Sequence, residues 1–570
     1  MTVLAEFKRH FVKDEDTLDS WEQIEPYVEM LKNRDINEKK MFDKWLADFS
    51  ELISIVYEIG TSREVAMTCD TEDEEIKESY NDYIDNIEPP FKEAIFGLYQ
   101  KMLSAKVFPD VMKGMPLLAQ MVKNEVELFS EKNIPLETQE SKLCQNYQEI
   151  TGAWMVSFKG QEYTMPEMMV FLEDNEATVR QAAFEAIAKR RIQDKVTLND
   201  LYNELLKTRQ EIATNLSLSD YRTYLFKLNR REYTPDDCFL FHESVFNKIV
   251  PLVTELRQQK AKKLGQTSLN PWDTSCDPDK KAPLRPFQEV EDLKDGVEKI
   301  FGLINPKLKD YFASIRYRQD LGSRRGKAPG GYQATFDEVR LPFIFMNAAG
   351  SQEDVETLLH EAGHSFHCLE YRNQPYYWYR GAPMEFCEVS SMSFELIGGE
   401  HFGVFYKDSQ QAKKARLKHL TGVLELFPWV MTVDAFQHWI YTHPNHSVAE
   451  RENQWKSLHQ KFDGGVNWAV MPDEIQKNWW HKQLHIFLDP FYYIEYAISQ
   501  LGALQIYRNY KKNKEKCLKD FLNAMSLGAS QSCRDIYSAA GIEFRFDSAI
   551  VGELAQMVYD EIQILEEELK

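Results

Sequence analysis

Over residues 1 to about 148, apolar side chains recur every three or four positions, which is the spacing of one face of an α-helix. The same spacing returns after residue 166 and again in the C-terminal part of the chain. Helices are predicted over residues 21–31, 38–57, 73–87, 177–188, 200–214, 410–427 and 447–462. Pro89 and Pro90 are expected to end the third of these helices. The chain is therefore predicted to be mainly α-helical.

Two stretches alternate apolar and polar residues instead, which is the period of a β-strand. Residues 154–165 predict a small hairpin with Gly160 in its turn. Residues 332–336 and 341–346 predict a second pair of strands. Between the two, residues 265–286 contain four prolines and predict a loop or a domain-crossing segment.

Composition narrows the class of protein. The net charge of −22 and the short Lys/Arg runs argue against a nucleic-acid partner, which requires a basic surface. No run approaches about 18 apolar residues, and the first residues carry charges where a signal peptide requires an apolar core. The eight cysteines form no C-x-x-C pair and are typical of reduced thiols. We therefore expect a cytoplasmic protein with no membrane partner.

The clearest chemical signal is H-E-x-x-H, formed by His360, Glu361 and His364. On a helix the two histidines lie one turn apart on nearly the same face, so both imidazoles can meet one ion. This is the pattern of a zinc protease with two histidine ligands and a glutamate general base. Ser351 and Asp354 have the spacing of a helix N-cap, which predicts that the motif lies beyond the second turn of a capped helix.

A third ligand has to come from elsewhere, and a carboxylate is the usual companion of two histidines. Residues 382–396 predict a second helix, begun by Pro383, with three candidate carboxylates: Glu385, Glu388 and Glu395. Spacing does not choose among the three.

His367 also follows the motif, seven residues after His360. The helical rise puts the two about 10 Å apart along the axis, too far for both to hold one ion. His367 is therefore predicted to be a core or supporting histidine.

The run from His360 to His367, followed by Glu388-Val-Ser-Ser-Met, resembles the thimet-oligopeptidase group of zinc peptidases, most of all its oligoendopeptidase F and Pz-peptidase branch. The resemblance implies that Glu388 is the third ligand of one zinc ion per chain, and that Glu395 hydrogen-bonds a ligand histidine. It also implies two mainly helical lobes flanking a deep substrate channel, with a small β-sheet beside the zinc-binding helix. A narrow channel would admit short unfolded peptides.

A second segment gathers four hydrogen-bond donors within twelve residues: His485, Tyr492, Tyr493 and Tyr496. Phenol and imidazole donors suit an oxyanion beside zinc. The resemblance assigns His485 and Tyr496 to the transition state, and Tyr493 with Tyr492 to substrate binding. Residues 489–490, Asp-Pro, stand where animal members of the family have a glycine-rich loop.

The strand that enters the zinc helix is the candidate for binding substrate backbone. In H-E-x-x-H peptidases an edge strand beside the zinc helix commonly binds peptide by strand addition, which requires an unpaired edge. Residues 343–347 are expected to provide that edge, with Phe343 and Phe345 as substrate contacts. The alternative is a purely structural sheet.

These features predict a zinc endopeptidase that hydrolyses internal bonds of short unfolded oligopeptides, with Glu361 as general base. We predict an N-terminal helical lobe over residues 1–190 and a catalytic lobe over 191–570, with chain crossings near 265–290. Sequence leaves the oligomeric state and the preferred cleavage site open.

Two alternatives remain open. One is a dipeptidyl carboxypeptidase-type exopeptidase, which requires a cation for the free C-terminus, and four residues qualify: Arg324, Arg325, Lys327 and Arg380. The other is a non-enzymatic peptide-binding module with structural zinc, a site that four protein ligands would normally close.

Overall fold

The computed structural model is mainly α-helical, which confirms the predicted class. It describes every residue except 1–3, 5, 282, 283, 325 and 329, and it describes residues 145, 148, 149 and 166 by their backbone only. Within the described residues, no helix has both the length and the apolar composition needed to cross a bilayer.

Three hydrophobic cores organise the described residues, and the first is formed by residues 12–122 around Trp45 and Phe49. Its helices are α1 (Trp21–Asn33), α2 (Lys39–Cys69), α3 (Glu74–Asp82), α4 (Glu88–Ser104), α5 (Phe108–Val111) and α6 (Pro116–Glu127).

Pro89 and Pro90 do not end a helix, so that prediction is wrong. They lie in the first turn of α4, after a π-helical turn at Tyr83–Ile87. Proline is tolerated there because the first N–H groups of a helix have no intrahelical partner.

The second core joins residues 128–225 to residues 433–491. Its first part consists of α7 (Ile134–Gly152), β1 (Met155–Phe158), β2 (Gln161–Thr164), α8 (Met165–Met169), α9 (Ala177–Gln193), α10 (Lys195–Asn215) and α11 (Tyr221–Leu228). The predicted hairpin is confirmed. β1 and β2 pair antiparallel around Lys159 and Gly160, which both have positive φ, the conformation that tight hairpin turns require.

The third core surrounds the two helices that carry the H-E-x-x-H and Glu388 motifs. The remaining elements are α12 (Pro235–Lys248), α13 (Val250–Lys263), α14 (Val290–Ile304), α15 (Pro306–Ser314), β3 (Gln319–Gly322), β4 (Tyr332–Phe336), β5 (Leu341–Ala348), α16 (Gln352–Tyr371), α17 (Met384–Gly398), α18 (Ser409–Thr442), α19 (Val448–Phe462), α20 (Asp473–Lys477), α21 (Leu484–Phe487), α22 (Ile494–Lys512), α23 (Lys514–Ser526), α24 (Cys533–Ala539) and α25 (Ser548–Glu568).

The proline-rich segment at 265–286 runs between cores. Trp272 packs in the second core, and Leu284 packs in the third. The boundary near residue 190 stays a prediction.

The sheet before α16 has three strands in the order β3-β5-β4. The predicted pairing of β4 with β5 is confirmed, with Ala334 opposite Phe343 and Tyr332 opposite Phe345. The expected open edge at residues 343–347 is wrong, because β3 pairs with the other side of β5 and places Asp320 opposite Phe345. β3 is four residues long, too short for its alternation to stand out in the sequence.

Candidate active site

Helix α16 begins as predicted. The Ser351 hydroxyl accepts a hydrogen bond from the Asp354 N–H, and the Asp354 carboxylate accepts one from the Ser351 N–H. This capping box fixes the start of the helix, so that the H-E-x-x-H motif lies in its third and fourth turns. Helix α17 packs against it through small residues, and Ser390, Ser391 and Ser393 are fully buried.

Three side chains converge where the two helices meet. The Nε2 atoms of His360 and His364 are 3.2 Å apart, and each lies 3.2 Å from Oε2 of Glu388. A tetrahedral zinc ion with bonds of about 2.0–2.1 Å separates its ligand atoms by about 3.3–3.4 Å. The three donors therefore have the identities and the separations of three corners of a zinc site.

The electrostatics of this triangle favour positive charge beside Glu388: burial lowers the pKa of His360, but its hydrogen bonds to Glu388 and Glu395 outweigh burial and raise that pKa to about 10. Two neutral imidazole nitrogens turned toward each other and toward a carboxylate would oppose their lone pairs. Burial raises the pKa of Glu388, but the neighbouring His364 and His360 outweigh it and hold that pKa well below its usual value. The Ser391 hydroxyl donates to Oε2 of Glu388 over 2.9 Å and orients the carboxylate.

Glu361 lies beside the triangle without joining it. It is 6% exposed, and no hydrogen bond to its carboxylate occurs among the described residues. Burial raises the pKa of Glu361, while the two histidines act in the opposite direction. A buried carboxylate whose oxygens are not engaged by other described residues is suited to accept a proton as a general base.

Glu395 supports the triangle from behind. Its Oε1 atom lies 2.6 Å from Nδ1 of His360, so that Nε2 of this histidine points to the other donors. Nε2 of His419, on α18, lies 3.6 Å from the second oxygen of Glu395. His419 was not found from the sequence, because nothing local relates it to a motif about 60 residues away.

His367 is a core residue, as predicted. Its ring packs against Tyr371 and Phe386, and it lies outside the group of converging donors. Burial, together with the nearby His364, lowers the pKa of His367 to about 3.

The aromatic segment lies over the same site. The Tyr492 hydroxyl is 3.4 Å from Oε1 of Glu388, and the Tyr496 ring is 5.5 Å from the Tyr492 ring. The ring centroid of His485 lies 4.8 Å from that of Tyr493 and 5.8 Å from that of Tyr496. The four predicted donors thus form one cluster, and Tyr492 makes its direct contact with Glu388.

The tautomer of His485 follows from its neighbours. The Trp429 indole can only donate, and it donates to Oε1 of Gln483 over 2.9 Å. The amide nitrogen of Gln483 therefore faces Nδ1 of His485, at 2.9 Å, and donates to it. Burial lowers the pKa of His485, so the ring is neutral and carries its proton on Nε2. His485 is thus prepared as a hydrogen-bond donor.

A buried clamp holds the tyrosine segment. Phe491 is fully buried and has a φ of 63°, which is strained for a residue with a side chain. Its carbonyl accepts from Arg231 over 2.7 Å, and its N–H donates to Gln437 over 2.7 Å. Arg231 also pairs with Glu495 at 2.6 Å, with both side chains fully buried. No local sequence pattern identifies Arg231 or Gln437, since they lie 260 and 54 positions from Phe491.

The remaining predicted residues lie apart from this cluster. Phe345 is fully buried and stacks on Tyr332 with ring centroids 4.8 Å apart, and Phe343 shares its central strand. Neither backbone offers a free edge to a peptide, so their expected role by strand addition does not hold.

The cations that could bind the free C-terminus of an exopeptidase substrate make ion pairs or hydrogen bonds with other residues of the protein. Arg324 pairs with Asp320 at 2.7 Å, and the ammonium of Lys327 pairs with the same carboxylate at 3.0 Å. Arg380 donates to Ser54. Arg325 lies outside the described residues.

Comparison with known proteins places the chain in a family. The sequence profile of Peptidase family M3 matches residues 170–556, and that of the Peptidase M3 N-terminal domain matches residues 17–129. The chain belongs to Peptidase family M3. As a member of this family it is a metallopeptidase.

Curated relatives of this M3 peptidase are distant in sequence. An "Oligoendopeptidase F homolog" of Borreliella burgdorferi is 23% identical over 73% of this chain and 72% of its own length. "Oligopeptidase PepF" of Bacillus subtilis is 24% identical over 65% of this chain, and the match covers 55% of the Bacillus protein.

Solved structures extend the likeness over the whole fold. Pz peptidase A, solved with an inhibitor, superposes with a TM-score of 0.87 at 23% identity over 98% of this chain and 99% of its own. Oligoendopeptidase-F of Enterococcus faecium gives a TM-score of 0.63 at 15% identity over 97% of this chain and 98% of its own. At these identities the likeness establishes the M3 fold.

Proposed function

We propose that this M3 peptidase is a zinc-dependent endopeptidase that hydrolyses internal bonds of short unfolded oligopeptides. The observation that carries the proposal is the triangle of His360, His364 and Glu388, whose donor atoms are 3.2 Å apart on every side. We propose that these residues hold one zinc ion per chain. When bound there, zinc would act as a Lewis acid on the scissile carbonyl and lower the pKa of a water toward about 7.

The protein's own groups then carry the proton. We propose that Glu361, free of hydrogen bonds to other described residues, takes a proton from the attacking water and returns it to the leaving amine.

The aromatic cluster is suited to the charge that develops on the carbonyl oxygen. Tyr496 and His485, with the proton of His485 on Nε2, would donate hydrogen bonds to that oxygen. Tyr493 and Tyr492 would contact the peptide beside it.

The substrate backbone requires an unpaired strand edge, and β5 offers none. In the described sheet β4 pairs with β5 along one edge and with no strand along its other edge. We therefore propose β4 as the strand that receives an extended peptide.

Product analysis tests the proposal. A peptide of about ten residues, acetylated and amidated at its ends, is incubated with the zinc-loaded protein, and the products are identified by mass spectrometry. Internal cuts that stop on dialysis against a chelator and return with zinc are expected. Survival of the blocked peptide, with loss of dipeptides from a free-ended one, would support the exopeptidase. Metal-loaded protein that cleaves neither would support the binding module.

A further inference from the structure

Two partly buried cations close to the aromatic cluster lack, among the described residues, the carboxylate partner that several buried cations of this chain have. Arg180, Arg209 and Arg231 each lie 2.6 Å from a carboxylate oxygen. The side chains of Lys482 and Arg191 make no ion pair and no hydrogen bond with any described residue. Removing a cation from water without a counter-ion costs free energy, so two neighbouring cations without ion-pair partners require an explanation.

Tryptophans form the surroundings of both cations. The Lys482 ammonium lies 4.4 Å from the Trp429 ring centroid and 5.0 Å from that of Trp479. The Arg191 guanidinium lies 4.9 Å from the Trp479 ring, and its Nε atom is buried without a partner. Burial, and then the repulsion of Arg191, lowers the pKa of Lys482 to about 7.

The one carboxylate that acts on Lys482 among the described groups is already in use. Asp463 accepts from the Trp468 indole over 2.9 Å and lies 3.7 Å from Arg257. Arg191, Lys482 and Trp429 are each partly exposed to solvent, which a ligand site requires.

The pair is also connected to the proposed oxyanion donor. Lys482 directly precedes Gln483, the residue that hydrogen-bonds His485. The same Trp429 that lies under the Lys482 ammonium donates to Gln483. Lys482, Trp429, Gln483 and His485 thus form a continuous chain of contacts that ends at the aromatic cluster.

We propose that Lys482, with Arg191 adding positive potential, forms a subsite for a carboxylate of the peptide substrate a few residues from the scissile bond. This inference rests on the proposed peptidase function. The carboxylate belongs either to a free C-terminus or to an acidic side chain. On binding, it would give the two cations an ion-pair partner of the kind that they lack among the described residues, and the indole faces would exclude water from the contact.

Matched peptides test the subsite and separate its two sources. One sequence is prepared with an amidated end, with a free C-terminal carboxylate, and as amidated forms that carry one glutamate at successive positions. For the wild type, kcat/KM is expected to be on the order of tenfold higher for a carboxylate peptide than for its neutral counterpart. A gain with the free C-terminus identifies that group, and a gain at one glutamate position identifies a side chain.

Variants assign the preference to the two cations. Lys482→Met is expected to raise KM for the carboxylate peptide, so that the carboxylate-to-neutral ratio of kcat/KM falls close to one. Arg191→Met is expected to lower this ratio by a smaller amount. Lys482→Arg keeps the positive charge and is expected to keep the ratio. Lys456→Met, which removes an exposed lysine paired with Asp473, is the control and should keep the ratio. Thermal melting verifies that each variant is folded.

Binding provides a readout that does not depend on turnover. In a Glu361→Gln background, the affinity for carboxylate and neutral peptides is followed by tryptophan fluorescence. A carboxylate preference that Lys482→Met removes supports the subsite, even if no peptide is cleaved. Equal ratios in the wild type and in Lys482→Met would overturn it, and cleavage of the neutral peptide would then leave the peptidase function standing.

Discussion

Gly363 and Ser391 hold the two ligand helices at contact distance. A Cβ atom at position 363 would lie 2.6 Å from the Ser391 Cα and 3.0 Å from its backbone nitrogen. Backbone cannot move aside as a flexible side chain can, so only glycine allows α16 and α17 to approach this closely. The approach brings Glu388 to the two histidines.

Gly363→Ala is therefore expected to separate the helices. Overpacking should lower the free energy of unfolding by about 1–3 kcal/mol and weaken zinc binding as well. Thermal melting and zinc content measure the two effects. Gly422→Ala is the control, because a Cβ at this exposed helical position meets nothing within 4 Å and should be neutral or stabilising. Unchanged zinc content and melting in Gly363→Ala would contradict the packing argument.

Removal of the Glu395 carboxylate should weaken the metal site without removing a ligand. With Glu395→Ala, His360 loses the partner at 2.6 Å that fixes its tautomer and its ring orientation. The affinity for zinc is expected to fall by about 10–100-fold, measured by competition with a chelator of known affinity. At saturating zinc, most of the activity should return. An unchanged zinc affinity would show that the carboxylate does not orient the histidine.

Two tyrosines of the aromatic cluster should differ in the kinetic constant that they affect. Loss of one oxyanion donor costs on the order of a hundredfold in kcat, so Tyr496→Phe should lower kcat far more than it raises KM. Tyr493→Phe should act mainly on KM, since Tyr493 is proposed to contact the peptide. Steady-state kinetics on one blocked peptide compares the two. If Tyr496→Phe altered KM alone, Tyr496 would not be an oxyanion donor.

The buried pair of Arg231 and Glu495 is expected to be needed for a correctly placed tyrosine segment. Arg231→Met removes the cationic partner of Glu495, which then keeps the Tyr233 hydroxyl, and it frees the Phe491 carbonyl; the change should cost about 3–5 kcal/mol of stability. The double variant Arg231→Met with Glu495→Met should recover part of the stability, but kcat should stay low because Phe491 remains unheld. Denaturant unfolding and kcat are measured on all three proteins. Full recovery of kcat in the double variant would argue against the clamp.

The sequence revealed the parts of the site that are local. His360, Glu361 and His364 lie within five residues on one capped helix, and periodicity is enough to place them. Glu388 could be chosen from three carboxylates only through the family resemblance, because spacing within one helix does not say which residue meets another helix.

The features that the sequence does not predict depend on contacts between residues far apart in the chain. Residues 343–347 were expected to form an edge, since nothing in their own pattern reports that β3 lies on their other side. His419, Arg231 and Gln437 act on the site through contacts between segments far apart in the chain, so no local pattern identifies them. Pro89 and Pro90 were assigned to a helix end although proline is equally suited to a helix start.

The most direct test of the central claim compares the wild type with Glu361→Gln, which keeps the three proposed metal ligands and removes the proposed base. Zinc content is measured for both proteins, and then the rate of internal cleavage of one blocked peptide. The account predicts equal zinc and a rate lower by at least about 10²–10⁴-fold in Glu361→Gln. Equal zinc with an undiminished rate would contradict it, because the proton would then be carried by another group.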